Sequence, residues 1–248
     1  MKISVVIPMY NERAIAEGSA ATFSAYMKEH FDEYELIFSD DGSADGCGEI
    51  VRCYGAAHDP NLCVVRSEKN RGKGAAVRAG VLASTGDVVM FTDCDIAYGT
   101  DVIGAVYDFF RENDREVEKG GDRISVAVGS RNLSRDGYAG YTFLRRLASK
   151  AYIRMLAIIA GFSLSDSQCG MKGFRGDDGR RIFAECEIDG FAFDFEVLLT
   201  AAAKKMKIRE IPVRIINHRA STVHVFRDSV RMMRDVLRIK KTVKAKNK

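Results

Sequence analysis

The stretch DVVMFTDCD, Asp87 to Asp95, carries an apolar run straight into two carboxylates one residue apart. A short apolar run without alternation is what a parallel strand covered on both faces needs. The two aspartates are then either ordinary loop acids or the holders of a divalent cation. Flanking one residue at a strand end, Asp93 and Asp95 can converge on one ion from the same side. Oxygen ligands of this kind suit Mg²⁺ or Mn²⁺. D-x-D alone does not choose between the two, so the rest of the chain must.

Working outward, ISVVIPMY (residues 3–10) is a second such run, and helical spacing of Ala, Phe, Tyr and Met predicts a helix over 12–30. YELIFSDDGS reads as a strand ending in acids and a glycine, DGCGEIVRCYGAA as a helix, LCVVRS as a strand and GAAVRAGVLAS as a helix. After the opening stretch come a helix over 100–114 and a fifth strand, ISVAVGSR. Alternation of this kind predicts an α/β domain with a mostly parallel central sheet flanked by helices. Three polar clusters fall just beyond strand carboxyl ends: Tyr10-Asn11-Glu12, Asp40-Asp41-Gly42-Ser43 and Asp93-Cys94-Asp95. Ligands of open α/β sheets bind in the crevice outside those ends.

At 248 residues, 46% hydrophobic and 29% charged, the chain suits one sizeable soluble domain. Its six cysteines include no C-x-x-C pair, which argues against zinc and for reduced thiols in the cytosol. ISVVIPMY is too short for a secretory or spanning segment, and AYIRMLAIIAGFSLS is too short to span and carries Arg154. The net charge of +4 hides an asymmetry: residues 204–248 hold 15 Lys and Arg against three acids, and the remainder holds 23 against 31. A basic end on an acidic body suggests an anionic partner, and the acidic body argues against nucleic acid.

NRGKGAAVRAG (residues 70–80) places Lys73 between glycines at a helix start, where backbone N–H groups and a cation favour an anion. It lacks the Walker spacing, and no G-x-G-x-x-G follows the first strand. Arg131, Arg135, Arg145, Arg146 and Lys150 cluster after the fifth strand, and Arg grips phosphate bidentately. Asp166, Asp194 and Glu196 are candidate general bases for any chemistry that must take a proton from a hydroxyl. Asp194 and Glu196 also fit a helix start. On a projection of residues 225–243, Phe226, Val230, Met233 and Leu237 form one apolar stripe, and Val225, Met232, Val236, Ile239 and Val243 a second. Arginines edge both, as in a helix lying on anionic lipid or packed on its own domain.

VVIPMYNE, SDDGSADG, NRGKGAAVRAG, FTDCD, VGSR and DSQCGMKGF, in this order, resemble the motif series of family 2 glycosyltransferases. The branch most resembled makes polyisoprenyl-phosphate sugars: dolichyl-phosphate glucose and mannose synthases and bacterial relatives. The resemblance implies a GT-A nucleotide-sugar-binding fold over 1–224, with 225–248 as a basic amphipathic C-terminal helix and tail. It implies Pro8, Tyr10, Asn11, Glu12, Asp41, Lys73 and Asp93 at the nucleotide, and Asp93 and Asp95 on a Mg²⁺ or Mn²⁺ ion that bridges the diphosphate. Asp95 and Asp194 are then the catalytic candidates. Arg131, Arg145, Arg146 and Lys172 are expected at an acceptor phosphate, and Asp166 and Gln168 shape that site. Mannose-type members resemble DADLQ at the aspartate pair; Ala97 stands here instead of the glutamine, which favours glucose and leaves a third metal ligand unassigned.

The expected activity is metal-dependent, inverting transfer of a hexose from UDP-glucose or GDP-mannose to a polyisoprenyl phosphate. Its place is the cytoplasmic face of an anionic membrane, with peripheral attachment. The alternatives are a saccharide hydroxyl acceptor, or a non-catalytic protein binding a nucleotide sugar or nucleic acid.

Overall fold

A computed structural model of the chain describes residues 1–134, 154, 164–217, 235–236, 238–243 and 246. Strand β1, Ile3–Met9, is buried along its whole length, and its side chains divide by parity, as the two-residue period of a strand requires. Ile3, Val5, Ile7 and Met9 enter one core, and Val6 enters the other. Strand β2, Tyr34–Asp40, does the same with Leu36 and Phe38 against Ile37. Helices α1 (Ala16–His30), α2 (Cys47–His58) and α4 (Asp101–Glu118) cover the first face. The second is covered by α3 (Lys73–Ala83), α5 (Gly176–Glu185) and α6 (Phe193–Ala203).

With β3 (Leu62–Arg66), β4 (Val88–Phe91), β5 (Ile124–Ser130), β6 (Lys172–Arg175) and β7 (Lys207–Pro212), the sheet has seven strands in the order β3-β2-β1-β4-β6-β5-β7. Only β6 runs against the others, pairing antiparallel with both β4 and β5. The chain moves outward from β1 through β2 to β3, then returns to lay β4 beside β1. That reversal is a topological switch point, and it opens the crevice between the carboxyl ends of β1 and β4. Although β4 has only four residues, Val88 and Met90 fill one core while Val89 and Phe91 fill the other. Each such burial contributes about 1.5–3 kcal/mol, so the platform under Asp93 is fixed from both faces.

The helix expected from residue 12 begins at Ala16. Asn11 is left-handed at φ 54, and the Glu12 carbonyl accepts the Ile15 and Ala16 N–H groups, so residues 11–15 form a rim loop. Strands β6 and β7 were not among the elements expected. Near the C-terminus, residues 235–236 and 238–243 are helical, and Val236, Ile239 and Val243 are buried in the second core. The stripe of Phe226, Val230, Met233 and Leu237 lies outside the described residues. Among the described residues no helix is long and apolar enough to cross a membrane.

Candidate active site

Three loops meet at the switch point, and hydrogen bonds tie the first two together. The Asn11 N–H donates to Ser43 Oγ at 2.9 Å, and Ala44 N–H donates to Asn11 Oδ1 at 3.0 Å. Arg13 N–H donates to Asp45 Oδ2 at 2.8 Å. Tyr10 stands exposed at this rim and Pro8 is buried beneath it. Asp41 is buried and accepts the main-chain N–H groups of Arg71, at 3.1 Å, and Gly72, at 2.6 Å. Its contacts therefore fasten the loop before α3, a task that the sequence did not suggest. Burial raises its pKa despite those donors.

Asp93 and Asp95 emerge from β4. Asp93 Oδ1 accepts from Lys73 Nζ, and Asp95 Oδ1 accepts the Ala97 N–H at 3.2 Å. Burial, and next the charge of Asp93, raise the pKa of Asp95: two carboxylates crowd one another here, and a cation relieves both. Ile96, directly after the pair, has φ 56. A β-branched residue at positive φ is a backbone outlier, and such strain costs about 1–3 kcal/mol. Its persistence shows that the surroundings hold the loop. They include Asn217 Nδ2, which donates to the Asp95 carbonyl at 2.7 Å, and Ile216 N–H, which donates to the Ala97 carbonyl at 2.8 Å. No sequence signal pointed to residues 216–217, because the contact spans 122 positions.

Two carboxylates with no third His, Cys, Asp or Glu grouped beside them among the described residues suit Mg²⁺ or Mn²⁺. These ions commonly take one or two carboxylates and complete their shell with substrate phosphates and water. Asp93 and Asp95 thus fit a hard divalent cation, and among the described residues no group of three or more His, Cys, Asp or Glu offers another site. Burial pushes the thiol of Cys94, between the two aspartates, up to about 12, so it stays protonated.

The loop at 166–170 closes on Asp93. A Cβ on Gly170 would collide with Asp93 Oδ2, and the Gly170 N–H donates to Tyr98 Oη at 2.9 Å. Gly170→Ala should therefore displace Asp93. A misplacement of about 1 Å can cost on the order of 100-fold in rate, so turnover should fall steeply while the melting temperature holds. A substitution that leaves turnover intact would show that Asp93 does not need its present position.

Several of the expected site residues have protein partners in the structure. Lys172, expected at an acceptor phosphate, is fully buried, its ammonium paired with Asp194 and donating to the Cys169 carbonyl at 2.9 Å. Asp194, expected as a catalytic group, is that lysine's partner. Arg131 is also buried; its Nε and Nη2 donate to the two oxygens of Asp166 at 2.6 and 2.7 Å, and its N–H donates to Asp166 Oδ2 at 3.1 Å. That edge of the guanidinium therefore holds a carboxylate. Glu196 accepts the N–H groups of Glu187 and Ile188. At the start of α3 some main-chain donors are already taken: the Gly72 N–H by Asp41, and the Ala75 N–H by the Asp189 carbonyl at 3.2 Å, against which Gly72 lies at φ +124. Within the 166–170 loop, Gln168 leaves Nε2 buried without a hydrogen-bond partner among the described residues. Arg145 and Arg146 lie outside the described residues.

A mostly parallel α/β sheet with its acidic crevice at the β1/β4 switch point is the GT-A architecture of glycosyltransferases. Solved structures agree on the fold. Glucosyl-3-phosphoglycerate synthase from Mycobacterium tuberculosis, in complex with Mn²⁺, UDP and glucosyl-3-phosphoglycerate, matches with a TM-score of 0.63 at 20% identity over 98% of this chain and 79% of that one. Mannosyl-3-phosphoglycerate synthase from Rubrobacter xylanophilus matches with a TM-score of 0.60 at 19% identity over 96% of this chain and 72% of that one.

Residues 4–175 match the description "Glycosyl transferase family 2", and the chain belongs to that family. Among its curated relatives are dolichyl-phosphate beta-glucosyltransferases. That of Dictyostelium discoideum is 29% identical over 96% of this chain and 73% of its own length. The human protein is 26% identical over 96% and 75%.

Proposed function

We propose that this glycosyltransferase moves glucose from a nucleotide sugar to a dolichyl-type polyisoprenyl phosphate, with inversion at the anomeric carbon. In this proposal Asp93 and Asp95 hold a Mg²⁺ or Mn²⁺ ion, which when bound offsets the charge gathering on the departing nucleoside diphosphate. Tyr10, Asn11, Glu12 and the loop fastened by Asp41 line the nucleotide, and Lys73 lies at its phosphates.

One observation favours a phosphate acceptor over a hydroxyl. Each carboxylate proposed as a general base already has a partner: Asp166 has Arg131, Asp194 has Lys172, and Glu196 has two main-chain N–H groups. A hydroxyl nucleophile needs a base to take its proton. A phosphate monoester is already anionic at neutral pH and needs placement, which preorganised charge supplies. With Lys172 and Arg131 engaged by carboxylates, the acceptor phosphate falls to Arg145 and Arg146. The names of the relatives support glucose and a dolichyl phosphate.

For the C-terminal segment, 225–248, the proposal assigns Val236, Ile239 and Val243 to the core. The Phe226 stripe and its flanking arginines then meet anionic lipid at the cytoplasmic face. The activity is tested with labelled UDP-glucose and GDP-mannose, each with Mn²⁺, offered dolichyl phosphate or a free saccharide. Label should pass from UDP-glucose into the lipid extract. Transfer to the saccharide alone, or from GDP-mannose alone, would contradict the proposal.

A further inference from the structure

Lys73 is the first residue of α3, and its backbone is pinned on both sides. Gly72 lies against the Asp189 carbonyl at 2.5 Å from where a Cβ would stand, and Gly74 lies against Phe193 at 2.6 Å. From that fixed start the side chain reaches Asp93 Oδ1. Both side chains keep 27% of their surface exposed, so the pair can open without unpacking the core. A lysine ammonium is positively charged at neutral pH, and here it faces Asp93.

We propose that Lys73 is the resident cation of the aspartate pair, occupying Asp93 Oδ1 until a divalent ion arrives together with a nucleotide, and then giving that oxygen up. This rests on the assignment of Asp93 and Asp95 as ion ligands and adds a competitor to it. A permanent positive charge on one of two ligands repels an incoming cation and blocks one of its oxygens. The ion alone therefore binds weakly. A nucleoside diphosphate restores binding, because its phosphates contribute ligands and draw the ammonium away from Asp93. The same phosphates give the displaced ammonium its new counter-charge.

The test is Mn²⁺ titration followed by loss of the free-ion electron paramagnetic resonance signal, with and without UDP, on the full chain. Wild type should bind Mn²⁺ weakly alone and at least about tenfold more tightly with UDP. Lys73→Met should bind Mn²⁺ alone about tenfold more tightly than wild type, and Lys73→Arg, which keeps the charge, as weakly as wild type. Lys73→Gln serves the same purpose should the Met variant fail to fold. Equal or weaker binding of Mn²⁺ alone by the folded neutral variants would overturn the competitor role while leaving the ion site standing. Failure of wild type to bind Mn²⁺ even with UDP would overturn both.

Discussion

Asp95→Asn should lower turnover by about 1,000-fold or more and leave the protein folded. The size follows from the role: charge stabilisation of a leaving group by a metal ion amounts to several kcal/mol, and each 1.4 kcal/mol is about tenfold in rate. The intact fold follows from the electrostatics. Burial and Asp93 raise the pKa of Asp95 in the folded state, so at neutral pH its charged form costs stability, a cost that vanishes as pH falls below the unfolded value. A neutral amide removes that cost, and its Oδ1 can still accept the Ala97 N–H that Asp95 accepts at 3.2 Å. The substitution should therefore separate catalysis from folding. Steady-state turnover with Mn²⁺, set beside a thermal melt, checks it; near-normal turnover would remove Asp95 from the mechanism.

The second large effect is on stability. Asp166→Ala should destabilise the protein by about 3–5 kcal/mol, because it removes the carboxylate paired with a buried guanidinium. Arg131 loses its two side-chain bonds to that carboxylate and the acceptor of its own N–H in one step. For a domain of this size each kcal/mol lowers the melting temperature by roughly 2–4 °C, so a drop on the order of 10 °C is expected. Replacing the pair together, Arg131→Met with Asp166→Leu, should recover much of the loss, since hydrophobic replacement of a buried ion pair is often close to neutral. Additive losses in the double variant would show that each residue acts through separate contacts.

Much of the fold was legible because its core strands are covered on both faces. Such strands read as unbroken apolar runs, and β1, β2 and β4 fall where those runs stand. The crevice was legible too, since polar clusters at strand ends mark the rim whatever the strand order. Strands β6 and β7 gave a weaker signal. The first is Lys-Gly-Phe-Arg, four residues whose buried lysine looks like a surface charge until Asp194 is beside it. The second, KIREIP, lies at a sheet edge with most of its residues partly or fully exposed.

Charge partners were the least legible part of the site. Sequence shows that Arg131, Lys172, Asp166 and Asp194 are ionisable and near shared motifs. It does not show that they neutralise one another across separations of 35 and 22 residues. A cation read as a phosphate ligand and a carboxylate read as a base meet in a buried ion pair once the sheet closes. The same holds for Asn217, whose hold on the strained loop after Asp95 exists only because the chain beyond β7 returns to the rim.

Crystals soaked with UDP and Mn²⁺ and measured at the manganese absorption edge put the central claim to its most direct test. One anomalous peak within coordination distance of both Asp93 and Asp95, with the diphosphate on its other side, is the expected result. A nucleotide bound at the rim with no peak between those carboxylates, or a manganese ion bound elsewhere on the chain, would contradict it.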